Sequence, residues 1–570
     1  MNVVLSRRVW FGVIIAAALF NGLGAPNAAQ AADRVPAEQS MQHGSNFFSM
    51  GRFEQAIEEW EAAAASYRET GDVDSEVIAR VQMTEAYSAL GLYLEAAQTL
   101  EDAGELLAKV DRPGLQLSVT SNLGNIYLLS GDFDAAQETL ISSIKQAEAL
   151  KNDAVLAAVH NTLGNLYVKQ KRPRKALVQY RRAVSVARRS GDKEVETRAT
   201  INQARNLIDL KRNKAALPLL QHAGDLLAPL ENSHHKAYGL VTLGRLYSVA
   251  GKDSAQAEKF LKQGGRVAQA IYDAHAHSYS LGYLAELYEG EQRLDKALKL
   301  TQLAIRDAQQ INARELLYRW QWQQARLITQ LGKPEQAIAA YQSAVKSLQS
   351  ARRSLGAERV NNHAFFDTAG RLYSDFAAML LEQSDRAGDD KQRRKYLLAA
   401  RDVIETQKEA EFRGYNRKTR IDQLPSASKQ PEQLKKGTAE IYSVLLPQRL
   451  ELLVTLPQGP KRFVVDIDAD MLISQVRILR KLLAKENPQL YLPYAQKLYQ
   501  WLFSPLEETL VAHDIGTVVI VPDSALHDVP MASLHDGQEF LIQRFNVATL
   551  PGLAGSTVDD QAQRAIAVLR

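Results

Sequence analysis

The sequence predicts a mainly α chain: an α-solenoid of helical hairpins followed by a partial α/β domain. Three observations predict it. A marker residue recurs at 40-residue intervals, with small and large residues at constant offsets around it. Past residue 437 the apolar period shortens from helical to alternating, and strands then alternate with helices. Finally, 46% hydrophobic and 24% charged residues over 570 positions is globular composition, in a chain long enough for two or three folding units. The net charge of +4 is too slight to imply nucleic acid or acidic lipid as a partner. The absence of cysteine excludes disulfides, cysteine-ligated metal and a catalytic thiol within these residues.

Residues 1–31 read as a signal peptide. Arg7 and Arg8 form a basic start, Val9 to Ala25 an apolar stretch, and Ala29-Gln30-Ala31 a small-residue cleavage site before Ala32. The apolar stretch is shorter than the ~20 residues a membrane span needs. Export by the general secretory route to the periplasm or medium is therefore expected, and an uncleaved membrane anchor is the alternative. Ser6-Arg7-Arg8 before Trp10-Phe11 is only loosely like a twin-arginine signal. No second apolar run reaches spanning length, so no stable membrane insertion is expected after cleavage.

Residues 37–350 carry the repeat. Gly51, Gly91, Gly131, Lys171, Lys211 and Gly251 stand 40 apart, and the register resumes at Gln292 and Gly332. Seven positions earlier come Gly44, Gly124, Gly164, Ala204, Gly244, Ala285 and Ala325, with Thr84 the exception. Large residues precede the marker by four, from Phe47 and Tyr87 to Tyr247 and Tyr288. Alanine follows it by five, and a large residue such as Trp60, Leu140 or Tyr180 by nine; Gln256-Ala257 marks a slip in the sixth unit. Small residues let a second helix approach closely while large ones fill the flanks. One unit cannot bury its apolar face alone, so eight must stack into a superhelix. The pattern resembles the tetratricopeptide repeat, with a period longer than the usual ~34 residues.

That resemblance implies a concave groove lined by the residue after each small position: Ser45, Glu85, Asn125, Asn165, Arg205, Arg245, Glu286 and Arg326. Asn125 and Asn165 would bond the backbone of an extended peptide, and Arg205, Arg245 and Arg326 would take carboxylates. The expected partner is thus a protein or peptide rather than nucleic acid. Nine cations between Lys169 and Arg189 read as a solvated basic ridge, since no regular aromatic interleaving accompanies them.

Residues 351–420 read as a helical cap on the last repeat and 421–437, with Pro425 and Pro431, as a linker. In 438–570, strands are expected over Glu440 to Leu446, Leu450 to Leu456, Arg462 to Ile467 and Thr517 to Val521, with helices over Met471 to Leu483 and Leu490 to Leu502.

Ala439-Glu440-Ile441-Tyr442, Leu502-Phe503-Ser504-Pro505-Leu506 and Val519-Ile520-Val521-Pro522-Asp523-Ser524-Ala525-Leu526-His527 resemble the CHAT domain, as do Val529-Pro530-Met531-Ala532-Ser533-Leu534 and Leu550-Pro551-Gly552. The resemblance implies a caspase-like, separase-related fold, common behind tetratricopeptide arrays in bacteria, and cysteine peptidase activity. The family's catalytic histidine and cysteine follow later strands, beyond Arg570, so no catalytic residue carries over. Ser524, His527 and His535 lie near aspartates, but sequence neighbours do not make a triad. Two expectations stand. One is an exported repeat scaffold that binds a protein or peptide and carries an incomplete CHAT domain. The alternative is the N-terminal portion of an exported CHAT-type peptidase. No cofactor or metal is expected.

Overall fold

The computed structural model describes residues 28–251, 253–354, 363–415, 434, 436–484, 488–523 and 526–550. Most of the expected signal segment and most of the expected linker lie outside them. The chain forms two compact units, Met1–Ala364 and Phe365–Arg570.

The described residues of the first unit form eight antiparallel hairpins. They pair α1 (Ala28–Ser49) with α2 (Phe53–Glu69), α3 (Val73–Leu90) with α4 (Tyr93–Leu107), and α5 (Pro113–Ser130) with α6 (Phe133–Ala149). Next come α7 (Asp153–Lys169) and α8 (Pro173–Ser190), α9 (Lys193–Asp209) and α10 (Asn213–Leu227), α11 (His234–Ala250) and α12 (Ser254–Ala270). The last are α13 (Ala274–Gly290) and α14 (Leu294–Gln310), then α15 (Arg314–Gln330) and α16 (Pro334–Ser354).

The 40-residue marker has a backbone cause. All eight marker residues sit in the left-handed region, from φ 58° at Lys171 to φ 91° at Gly131. Each ends the first helix of its hairpin. In most hairpins the next residue's N–H reaches back to the carbonyl of the large residue four before the marker, as Arg52 to Phe47 (2.9 Å), Arg172 to Tyr167 (2.8 Å) and Arg293 to Tyr288 (2.9 Å). This is the Schellman closure, which favours glycine at the left-handed position. The second helix then starts at once, with Pro173 and Pro334 in its first turn. Asp132 and Asp253 cap α6 and α12 in the same position by accepting from the amides of Ala135 and Gln256.

Packing inside each hairpin follows the small-to-large register. The alanines after the marker (Ala56, Ala96, Ala136, Ala176, Ala216, Ala257, Ala297 and Ala337) are all wholly buried. A Cβ on Gly44 would stand 2.5 Å from the Trp60 ring, one on Gly124 2.9 Å from Leu140, and one on Gly164 2.5 Å from Tyr180. In the sixth hairpin Gly244 meets Leu261 instead of Phe260, so the one-residue slip moves the filling side chain along the helix. Phe260 packs against Gly224 of the preceding hairpin. From α3 to α15 successive first helices pack on one another, which puts them on the inner, concave side of the superhelix.

The second unit contains α17 (His363–Asp385), α18 (Asp390–Tyr415), β1 (Thr438–Leu446), β2 (Arg449–Leu456), β3 (Gly459–Asp466), α19 (Ala469–Leu483), α20 (Pro488–Leu502), α21 (Glu507–Ala512), β4 (Thr517–Val521), α22 (Leu541–Arg544) and β5 (Asn546–Thr549). The sheet order is β3-β2-β1-β4-β5. β1, β2 and β3 are antiparallel neighbours, with Ile441 opposite Val454, and β4 joins β1 in parallel with Ile520 opposite Ile441. The antiparallel turns are both Pro-Gln, at 447–448 and 457–458. Ile441, Leu452 and Val454 share a core with Leu472, Val476 and Leu479 of α19 and Leu498 and Leu502 of α20. β5 was not expected from the sequence: four residues with only Ala548 buried give no apolar run.

The helices expected to cap the repeats contribute to this sheet. Tyr442 on β1 donates to Glu405 of α18 at 3.0 Å, and Arg394 of α18 donates to the Gln458 carbonyl. Arg462 on β3 bonds the Leu381 carbonyl of α17 at 3.2 Å and clamps the wholly buried Glu451 at 2.8 and 2.9 Å. Among the described residues, no helix is long and apolar enough to cross a membrane.

Candidate functional site

The column after the small positions stands on the first helices, one residue per hairpin, and its side chains meet different fates. Asn125 on α5 and Asn165 on α7 are buried. Asn165 turns into its own hairpin, where its Oδ1 accepts from the Tyr180 hydroxyl at 2.8 Å. Its Nδ2 has no protein partner among the described residues. Spacing alone places both amides in the column, but the large residue on the second helix draws Asn165 inward.

The arginines are only partly buried. Arg205 on α9 donates to Asn202 at 3.3 Å. Burial, with the like charge of Arg245 beside it, holds its guanidinium below the ordinary value. Arg245 on α11 stacks on the Tyr283 ring at 4.6 Å and donates to the Tyr283 hydroxyl at 3.1 Å. Arg319 on α15 donates to the same oxygen at 3.3 Å. Burial alone would push the Tyr283 phenol up, but the two guanidiniums outweigh it and hold the phenol below its usual value. Arg326 is engaged otherwise: it grips both oxygens of Glu289 at 3.2 and 3.0 Å and lies over Trp322.

Arg319 and Tyr283 escaped the sequence reading because it followed one column only. A second, parallel column was present in Tyr238, Tyr279 and Arg319, at 41- and 40-residue steps on the same helices. Tyr279 stacks on Tyr283 at 5.7 Å and meets Tyr238 edge-on at 5.5 Å. The result is an aromatic and guanidinium surface spanning α11, α13 and α15, with Glu286 as a neighbouring carboxylate.

Two carboxylates meet between α3 and α9. Glu85 on α3 is pushed up to about 8, by burial first and then by the charge of Glu194 on α9, with Arg198 pulling the other way. His235 stands 3.7 Å from Glu194, and burial holds its imidazole down at about 4. Of the basic ridge, Arg188 pairs with Glu196 and Arg189 with Asp153, both at 2.6 Å, while Lys171, Arg172, Arg174, Lys175, Arg181 and Arg182 are exposed.

In the second unit Ser524 lies outside the described residues. His527 is exposed. His535 is buried against Phe540, and its Nδ1 accepts from the Gly537 amide at 2.9 Å. Asp536 accepts from the amides of Gln538 and Glu539 at 2.7 and 2.8 Å, so this pair builds a turn. Among the described residues no group of three or more histidines and carboxylates is placed to hold a metal ion.

No curated protein matches the chain. Similar solved structures include a Rap protein complexed with competence and sporulation factor, at 13% identity over 67% of this chain and 99% of that one, TM-score 0.42. A signal transduction ATPase with a tetratricopeptide repeat sensor, from Pyrococcus horikoshii, is 13% identical over 59% of this chain and 50% of its own, TM-score 0.41. Aspartyl phosphate phosphatase F from Bacillus subtilis is 13% identical over 57% of this chain and 93% of its own, TM-score 0.35. The tetratricopeptide repeat family profile matches residues 115–189, which is α5 to α8, and the CHAT domain profile matches residues 492–569. The chain thus joins a stretch that matches the tetratricopeptide repeat to a CHAT domain match behind it.

Proposed function

We propose that this protein is an exported scaffold that holds a protein or peptide partner along the concave face of its repeats. The groove is the column Asn125, Asn165, Arg205, Arg245 and Arg326, extended by Arg319 and Tyr283. The supporting observation is that Arg245 and Arg319 direct two guanidiniums at one phenol oxygen, 3.1 and 3.3 Å away. Two cations converging on a neutral hydroxyl, in a partly desolvated setting, form a position where a partner's carboxylate is better matched than the phenol it would replace. Arg205 adds a third positive charge along the face, whereas the inward-turned Asn165 supports Tyr180 rather than offering a donor. Arg326 contributes shape through Trp322, because Glu289 already neutralises it. Export to the periplasm or medium rests on the character of residues 1–31.

Fluorescence polarisation with a labelled deca-glutamate peptide, against deca-glutamine of the same length, tests the groove. The glutamate peptide binds, the glutamine peptide does not, and Arg245→Met with Arg319→Met weakens binding about tenfold or more, as the loss of charge-assisted bonds to a carboxylate implies. Equal binding of both peptides, or an affinity indifferent to the double substitution in a folded protein, would overturn the reading.

A further inference from the structure

The first hairpin makes contacts beyond its neighbour in sequence. Besides packing on α3, its turn reaches across the superhelix to the sixth and seventh hairpins. Phe48 of α1 lies 5.7 Å from the His235 ring, and Phe53 of α2 meets His234 edge-on at 5.1 Å. At Gly51, between them, the backbone comes so close to Asp273 that a Cβ would stand 2.8 Å from its carboxyl carbon. Asp273 cannot easily yield. It is 2% exposed, caps α13 by accepting from the Ala276 amide at 2.9 Å, and lies 2.6 Å from Nδ1 of His234. Deeper in, Glu85 of the second hairpin feels the charges of Glu194 and Arg198 in the fifth. The early hairpins thus close back onto the amino-terminal ends of α9, α11 and α13.

A stack of repeats needs none of this, because each unit is stabilised by its neighbours in sequence. The contact is also narrow, made chiefly by one turn and two rings on one side and by His234, His235 and Asp273 on the other. We propose that the first hairpin is a latch that closes the concave face, and that it opens from α11 and α13 while the remaining hairpins stay folded. Given the groove proposed above, a partner gains the arginine and tyrosine surface only when the latch is open. The latch itself is testable with no partner at all.

Position 51 allows a selective perturbation. The same marker in the seventh hairpin is Gln292, at φ 59°, so glutamine is compatible with this turn. Gly51→Gln therefore leaves the hairpin's own closure intact and drives a side chain into Asp273. Gly332→Gln is the control, since Gly332 has the same conformation, at φ +73°, with nothing within 4 Å of its Cβ direction. The chain has no cysteine, so Glu286→Cys places a single thiol on the concave column of α13. Its reaction with a maleimide carried on a long polyethylene glycol chain reports access to the interior.

The Glu286→Cys protein with no other change reacts slowly. Gly51→Gln accelerates the reaction about tenfold, the scale on which overpacking shifts a closed contact, and Gly332→Gln leaves it unchanged. Hydrogen exchange in α5 to α8 stays at the parent level in both, which separates latch release from unfolding. Equal rates in the two glutamine variants would overturn the proposal. So would a Glu286→Cys rate, without a glutamine substitution, matching that of a free thiol peptide, or a Gly51→Gln effect accompanied by lost protection in α5 to α8. Failure of the deca-glutamate peptide to bind would remove the groove reading and leave these rates as they are.

Discussion

Gly164→Leu is the sharpest probe of how the repeats are held together. The glycine faces Tyr180 across its hairpin, and a Cβ there would lie 2.5, 2.7 and 3.0 Å from three atoms of the ring. The ring is 2% exposed and has nowhere to retreat without moving α8. Overpacking of this kind costs about 1–3 kcal/mol. Displacing the ring also breaks the 2.8 Å bond from its hydroxyl to Asn165, a loss of about 1 kcal/mol. Asn165 would then be left with both amide atoms unsatisfied in a fully buried site, since its Nδ2 already lacks a partner. The sum is about 2–4 kcal/mol. Gly164→Ala separates the contributions, because it brings the same Cβ without leucine's further atoms, while both recover most of the about 1 kcal/mol of helix propensity that glycine lacks. Urea denaturation followed by circular dichroism should rank parent, alanine and leucine in falling order of midpoint, with no change of slope between them. A leucine variant with the parent's midpoint would mean that the small position does not face Tyr180 and that the register is assigned wrongly.

Two further outcomes are expected. Glu85 has a folded value near 8 against an ordinary 4.5, so the folded array favours its neutral form. That contribution is complete below the ordinary value and is lost as pH rises through 8; the parent therefore loses urea resistance over this range, and Glu85→Gln loses less. Parallel pH profiles for the two proteins would dismiss the burial of this carboxylate as an energetic factor. Separately, N-terminal sequencing of the protein recovered from the producing cell's exterior or periplasm should begin at Ala32 or within a few residues, and an intact Met1 in the cytoplasmic fraction would end the export reading.

Much of the repeat architecture was legible because its cause is local. A left-handed residue closing each first helix recurs at a constant interval, and glycine is its commonest solution, so Gly51, Gly91 and Gly131 announce the turns. Lys171, Lys211 and Gln292 take the same conformation, which is why the spacing had to be followed through residues that do not look like turn formers. The site was less legible. Position in a column fixes the helix face to within a residue or so, but not whether a side chain points along the groove or into its own hairpin. Asn165 turns inward to Tyr180, and Arg326 is neutralised by Glu289, a partner in the preceding hairpin. The latch contacts were invisible for a different reason: they join hairpins far apart in sequence, and no periodicity encodes where a superhelix returns to itself.

The meeting of the first hairpin with the sixth and seventh changes the arithmetic of the array. In an open stack, folding free energy is a sum over units and adjacent interfaces, and end units can be trimmed one at a time at a fixed penalty. Here the chain between Phe48 and His235 is a closed loop, and closing it carries an entropic penalty that grows only slowly with its length. Deleting the sixth hairpin would therefore weaken the first as well, whereas trimming the eighth would leave that loop whole. Folding speed bears the same mark: the neighbouring hairpins form through short-range encounters, and the loop between the first and sixth closes only after the intervening units are in place.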